Sequence, residues 1–118
     1  MENRNPLVSI CIPVFNGEKL VHRALISATT QTYKNIEVIV VNDKSTDNSA
    51  MLVKEYNKSN LVNLKEKSGP AKARNTGAEY AKGNIIVFLD SDIALKKDAI
   101  TLMVKRLKTS KDIVAVSG

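Results

Sequence analysis

Ile85-Ile86-Val87-Phe88-Leu89 is an unbroken apolar run that ends in Asp90-Ser91-Asp92. Five apolar residues in a row, β-branched at the start, fit a strand covered on both faces, and such a strand belongs inside a sheet layered on either side. The two acids then fall at the strand's carboxyl end, where open α/β sheets bind ligands. Read as extended backbone, alternate residues point the same way, so Asp90 and Asp92 share one hard cation. Ser91 between them offers a hydroxyl and a backbone N–H. The expected ligand is a metal ion carrying phosphate.

Strand-like and helix-like segments alternate along the rest of the chain, the pattern of a parallel sheet with crossover helices. Leu7 to Val14 reads as the first strand, with Pro13 marking where the backbone leaves the ladder. After a loop at Phe15-Asn16-Gly17, a helix from Glu18 to Gln31 carries Leu20, Val21, Ala24, Leu25 and Ala28 as one apolar stripe. Ile36 to Val41 is the second strand. Asn42-Asp43-Lys44-Ser45-Thr46-Asp47 then supplies a turn and capping residues for a helix through Met51, Leu52, Val53 and Tyr56.

A short third strand is expected at Val62 to Leu64. Pro70 suits the first turn of a helix running to Ala81, with Gly77 allowing close packing on the sheet and Gly83 stopping the helix. A last helix, Asp98 to Leu107, has Ile100, Val104 and Leu107 on one face, and Ile113 to Val116 reads as a fifth strand. The fold class is α/β, Rossmann-like, with a mostly parallel sheet and helices on both faces. Residues 1–118 read as a single domain, and the apolar last strand, which needs covering, makes it the expected amino-terminal part of a longer one.

The formal charge of +6 raises the question of nucleic acid, but the lysines are dispersed and aromatic residues make up only 4%, so no nucleic-acid partner is expected. Lys96, Lys97, Lys105, Arg106, Lys108 and Lys111 read as a solvated helix face rather than a contact for anionic lipid. No stretch approaches the roughly 20 apolar residues of a membrane span, the amino terminus lacks a secretion signal, and the one cysteine, Cys11, cannot form an internal disulfide. A cytoplasmic location is expected. Cys11 reads as core and His22 as surface.

If the strands are parallel, Pro13-Val14-Phe15-Asn16, Asp43 and Asp90-Ser91-Asp92 meet along one edge. Asp43 has a carboxylate suited to accept an N–H from a base, and Phe15 a ring to lay against one, so together they form a pocket for a nucleotide base. Taken singly, Asp43 suits a turn or cap and Phe15 a core. Lys72 and Arg74 sit in the first turns of the Pro70 helix, against the macrodipole, and call for a negative partner there. A diphosphate or an acid of the metal site would serve, and Arg74 could hold either bidentately.

Val8-Ser9-Ile10-Cys11-Ile12-Pro13-Val14-Phe15-Asn16, Val40-Val41-Asn42-Asp43-Lys44-Ser45-Thr46-Asp47, Ala73-Arg74-Asn75-Thr76-Gly77 and Phe88-Leu89-Asp90-Ser91-Asp92 resemble, in order and spacing, the family 2 glycosyltransferases of the GT-A fold. The resemblance implies a nucleotide-sugar donor site, with Pro13 and Phe15 beside the base, usually uracil, and Asp43 accepting from it. Val14 and Asn16 belong to the same nucleotide-binding stretch, and Arg74 lies near the donor. Asp90-Ser91-Asp92 becomes the family's Asp-x-Asp, touching ribose and a diphosphate-bound Mg2+ or Mn2+, with Asp92 and Asp90 as metal ligands.

The implied activity is transfer of a sugar from a nucleotide-diphosphate sugar, with UDP as the carrier, to a hydroxyl of a saccharide or lipid-linked acceptor. Polysaccharide synthesis at the cytoplasmic face of a membrane, reached through segments outside this chain, is the corresponding setting. The family's general base lies beyond the equivalent of Gly118, so the chain alone is expected to be poorly active or inactive. Asn42, Lys44 and Ile93 depart from the usual pattern. The rival readings are a non-catalytic nucleotide-binding module and a metal-dependent phosphotransferase, whose nucleophile would ordinarily follow the first strand rather than a late one.

Overall fold

In a computed structural model the structure describes residues 5–107 and 115–117. The elements run β1 (Val8–Val14), α1 (Val21–Thr29), β2 (Ile36–Asn42), α2 (Ser49–Tyr56), β3 (Asn60–Asn63), α3 (Pro70–Tyr80), β4 (Ile85–Phe88), α4 (Ala99–Leu107) and β5 (Ala115–Ser117). The strands form one sheet in the order β3-β2-β1-β4-β5, every neighbouring pair parallel. Of the predicted fifth strand, Ile113 and Val114 lie outside the described residues. The third strand begins earlier than expected, at Asn60, because pairing with Ile39 to Asn42 recruits polar residues that composition gives no reason to extend.

Alternation along the strands separates two apolar layers. Val8, Ile10, Ile12 and Val14 of β1, Val38 and Val40 of β2, and Val87 of β4 join Val21, Ala24, Leu25 and Ala28 of α1, Val53 of α2, and Ile100 and Val104 of α4. The residues between them, Cys11, Ile39 and Val41, face Ala73 of α3, with Ile86 and Phe88 beside them. The continuous apolar runs are therefore explained, since each strand of the centre has a layer on either face. Burial pushes the Cys11 thiol up to about 11, as fits an inert core residue.

Helix α1 is shorter than its apolar pattern. Residues 17–20 form a turn in which the N–H groups of Leu20 and Val21 both donate to the Gly17 carbonyl, and Leu20 is exposed rather than part of the stripe. At the other end Gln31 is buried and fully engaged. Its Nε2 donates to the carbonyls of Ser27 (3.0 Å) and Lys96 (2.6 Å), and its Oε1 accepts from the Ile100 N–H (3.0 Å) in the first turn of α4. One side chain thus satisfies an orphan helix donor and fastens α1 to α4.

Glycine sets the distance of α3 from the sheet. A Cβ at Gly77 would lie 3.0 Å from Cys11 Cβ, and one at Gly83 would lie 2.5 Å from Ser9 Oγ and 2.7 Å from the Leu7 carbonyl oxygen. The buried Ser9 hydroxyl accepts from the Gly83 N–H (2.8 Å) and donates to Glu37 (2.5 Å), leaving no slack there. Gly83→Ala should therefore cost about 2–4 kcal/mol in urea unfolding, through backbone clash and a broken buried hydrogen bond. Gly77→Ala should cost less, about 1 kcal/mol net, because a gain in helix propensity offsets part of the overpacking. An unchanged unfolding midpoint for Gly83→Ala would contradict this packing.

Candidate functional site

Strands of unequal reach shape the carboxyl rim of the sheet. β1 pairs with β2 to its last residue, Val14 against Asn42, but its pairing with β4 stops at Cys11 against Phe88. Cys11 accepts from the Leu89 N–H on the β4 side, and Val14 accepts from the Asp43 N–H on the β2 side. Pro13, two residues beyond Cys11, therefore turns its missing N–H toward the side where the ladder has ended, and no hydrogen bond is lost. Pro13 remains within β1, in register with Val41, so the sequence expectation holds for the β4 side only.

The loop after β1 is tied to the loop after β2. The Asn16 N–H donates to Ser45 Oγ (3.0 Å), Gly17 to Ser49 Oγ (2.9 Å) and Glu18 to Asp47 Oδ2 (3.1 Å), while Asn16 Oδ1 accepts from the Thr46 N–H (2.8 Å). Asn16 and Lys44 adopt left-handed backbone, at φ 51° and 59°, which turns both loops sharply enough to meet. Burial works to raise the Asp47 carboxyl, but hydrogen bonds from Ser49 and Glu18 outweigh it and hold it below the usual range. Sequence reading gave Asp47 only a capping role. Its position three residues after a left-handed Lys44 carries no such signal.

Asp43 follows directly on β2 and is 3% exposed. Oδ1 accepts from the Ser68 N–H (2.7 Å), and Oδ2 accepts from the Gly69 N–H (2.9 Å) and from Lys67 Nζ (3.1 Å). The carboxylate thus anchors the entry to α3, where Gly69 sits at φ +94°, a conformation suited to glycine. Burial alone would raise its pKa, but Ser68, Lys67 and Gly69 together hold it below the usual carboxylate range. With three hydrogen bonds accepted, Asp43 anchors the segment before α3 and does not cap α2, the helix for which its turn was expected to supply caps, and little of it faces the cleft.

Phe15 does not join the core. The residue is 45% exposed, and Lys67 Nζ lies over its ring, 4.2 Å from the centroid, a cation–π contact. Lys67 was missed in the sequence, where it lay within an unremarkable polar loop. The available signal was its place two residues before the Gly-Pro that opens α3.

Asp90-Ser91-Asp92 lies beyond the end of β4 and is not extended. The Ile93 N–H donates to the Asp90 carbonyl (3.1 Å), closing a turn, so the premise that alternate residues of a strand aim both carboxylates one way is corrected. Ser91 packs near Gly17, where an added Cβ would stand 3.2 Å from Ser91 Oγ. Arg74 of α3 reaches Asp90 by one contact, Nη2 to Oδ1 at 3.9 Å, with both side chains largely exposed. The acid foreseen as its partner is there. The pairing is single and long, not bidentate, and leaves most of the guanidinium fork open.

These segments enclose one cleft of about 820 Å³. Pro13, Val14, Phe15 and Asn16 line it from the end of β1 and the loop after it, Asp43 from the end of β2, Arg74 from α3, and Asp90, Ser91 and Asp92 from the turn, so every residue expected in the donor site borders the same space. Lys67, Asp47 and Glu18 also border it. Lys72 is exposed on α3 outside this lining. Among the described residues no three His, Cys, Asp or Glu side chains gather closely enough to hold a metal by themselves. Two hard carboxylates on one cleft nevertheless suit a divalent cation that takes its other oxygens from bound phosphate.

Because Asp43 titrates below its unfolded value of 3.8, its stabilisation is complete above that value and is lost as pH falls through the folded pKa. Unfolding free energy should therefore decline on acidification below about pH 4, and Asp43→Asn should flatten that slope while costing about 1–3 kcal/mol at neutral pH. Urea titrations between pH 2 and 7 read both effects. Equal pH slopes in the two proteins would refute the assignment.

The family model described as Glycosyl transferase family 2 matches residues 9–118. Glycosyltransferase GlyA of Streptococcus pneumoniae is 38% identical over 114 residues, covering 94% of this chain and 16% of that protein. Among solved structures, residues 1–349 of Staphylococcus aureus TarS in complex with UDP-GlcNAc superpose with a TM-score of 0.82 at 32% identity, over 89% of this chain and 32% of that one. The mannosyltransferase PcManGT of Pyrobaculum calidifontis, in complex with GDP-Man and Mn2+, gives 0.83 at 30% identity, over 89% of this chain and 33% of that one. This chain thus spans a third or less of each. The parallel sheet is the GT-A type that the motifs implied, and the chain belongs to glycosyl transferase family 2.

Proposed function

We propose that the cleft is the donor site of a sugar transferase, binding a nucleotide-diphosphate sugar, with UDP as the carrier, together with Mg2+ or Mn2+. The observation that carries this reading is the convergence of Phe15, Asp43, Arg74, Asp90 and Asp92, from four separate segments, on one open cleft at the carboxyl rim. Related structures with UDP-GlcNAc and with GDP-Man and Mn2+ support it. Sugar transfer replaces the phosphate oxygen at the anomeric carbon by an acceptor hydroxyl oxygen, the bonding pair leaves with the nucleoside diphosphate, and the hydroxyl proton passes to a general base. Catalysis at this end of the reaction is therefore stabilisation of the departing charge.

The base end is formed by Phe15, whose exposed ring supplies a stacking face, beside the Asp43–Lys67 pair. Arg74 stands where the diphosphate would pass, with guanidinium N–H groups beyond its one contact to Asp90. Asp92 and Asp90 would hold the cation, which when bound supplies positive charge against the phosphate oxygens. Asn16 and Val14 keep the first loop in place, and Ser91 sets the turn against Gly17. The acceptor is a hydroxyl of a saccharide or a lipid-linked saccharide, and the cytoplasmic side of a membrane is the proposed setting. No helix among the described residues is long and apolar enough to cross one.

Titration calorimetry of this chain with UDP and GDP, with and without Mn2+, tests the site in two parts. Asp92→Asn should abolish the enhancement of binding by Mn2+, whereas Phe15→Ala should weaken binding about tenfold through lost stacking and keep that enhancement. Binding that ignores both the metal and Asp92 would sink the donor-site reading. Salt-sensitive RNA binding unaffected by Asp92→Ala would instead favour a non-catalytic module.

A further inference from the structure

We propose that α4 and the residues just before it form a docking surface for an anionic lipid bilayer, with Leu102 entering the headgroup layer among basic side chains that meet the lipid phosphates. The inference does not rest on the donor-site reading. It names the surface through which the chain would reach the membrane setting proposed above. Residues 96–111 carry six of the 18 lysines and arginines but one of the 12 acids, so this short stretch holds five of the six net positive charges. Elsewhere the basic residues are dispersed and balanced by acids. An asymmetry of that kind sets up a local field suited to an anionic partner.

Ile100 and Val104 are the buried residues of α4, and at about 100° per residue Leu102 falls midway between them on the opposite side of the helix. A helix packed on a sheet ordinarily carries charge at that position, yet Leu102 is 56% exposed. Lys105 and Arg106 follow one turn later on the same outward side, and Asp98 precedes it by one turn. Lys96 and Lys97 are exposed ahead of the helix, while Lys108 and Lys111 lie outside the described residues. Ala99 and Met103 join Leu102, Lys105 and Arg106 around a shallow depression of about 510 Å³.

A lone exposed leucine carries little by itself, and its place at the centre of the chain's charge gives it this use. An apolar tip among long basic side chains matches the layered chemistry of a bilayer surface, where phosphate lies outermost and hydrocarbon beneath it. An acidic protein or a nucleic acid would engage the charges and leave the leucine in water.

Cosedimentation with vesicles of phosphatidylcholine, alone or mixed with phosphatidylglycerol, tests the proposal at low and at physiological salt. The wild type should bind the mixed vesicles only, and less at the higher salt. Lys97→Glu combined with Lys105→Glu should weaken binding at least about tenfold, and Leu102→Ser about fivefold with the salt dependence kept. Lys72→Glu combined with Lys82→Glu makes the same change of charge on the α3 side of the sheet, and should cost less than about twofold. Because the sequence has no tryptophan, emission from Leu102→Trp reports on this one position, and it should shift to the blue on mixed vesicles.

Equal weakening by the two double variants would reduce the binding to whole-molecule charge and overturn the proposal. So would an unshifted Leu102→Trp emission from protein that sediments with the vesicles, or no binding to mixed vesicles at all. Circular dichroism identifies a variant that fails to fold, and Leu102→Trp, at an exposed position, then carries the test. UDP binding should be unchanged in every α4 variant, so failure of this proposal and failure of the donor site are seen separately.

Discussion

Strand β1 is hydrogen-bonded along both edges to parallel neighbours, β2 on one side and β4 on the other. Parallel pairing sends all three chains out through the same rim, so the loops after them share one space whatever their separation in sequence. The unequal lengths of the two ladders matter as much as their direction. Because β4 stops pairing at Cys11 while β2 continues to Val14, the rim is notched on the β4 side, and the turn of Asp90 to Asp92 lies across the notch from the loop of Phe15. A proline at position 13 is compatible with this asymmetry and would be costly on the other edge.

A rim made of loops would be loose without internal anchors, and polar side chains supply them. Asp43 satisfies two backbone N–H groups ahead of α3, Asp47, Ser45 and Ser49 satisfy those of the loop after β1, and Asn16 in turn satisfies the Thr46 N–H of the loop after β2. Such bonds replace water at groups that the turns leave unpaired, which is where a buried carboxylate offsets its own desolvation. Two acids at the site are therefore structural in their immediate contacts. The exposed pair, Asp90 and Asp92, is chemically distinct from them in having solvent rather than backbone as its main surroundings.

The positions of the motifs were legible because the strands that carry them are apolar on both faces, and such runs have few other ways to be buried. The same runs placed Asp43 and Asp90 at strand ends. What periodicity could not resolve was the conformation just outside each element. Leu20 fits the apolar stripe of α1 by spacing alone, yet the Gly17 turn leaves it exposed. Phe15 has the composition of a core residue and lies in the open, because the loop that carries it is held by polar bonds to a distant segment. Gln31 gave no sign of its buried role, since its three partners lie in α1, at Lys96 and in α4.

By itself the sequence determined an α/β sheet with layers on both faces, the acids and the aromatic at its carboxyl rim, and the family whose motifs these are. Hydrophobic alternation and turn residues act locally, and their consequences can be read one segment at a time. Only the tertiary structure decided which group faces the cleft. That Asp43 is sealed while Lys67 stays half-exposed follows from hydrogen bonds to Asp43 from Ser68 and Gly69, some 25 residues along the chain, and from a ring brought over from the end of β1. Exposure at a site is a property of what packs beside it, and no spacing within one segment encodes that.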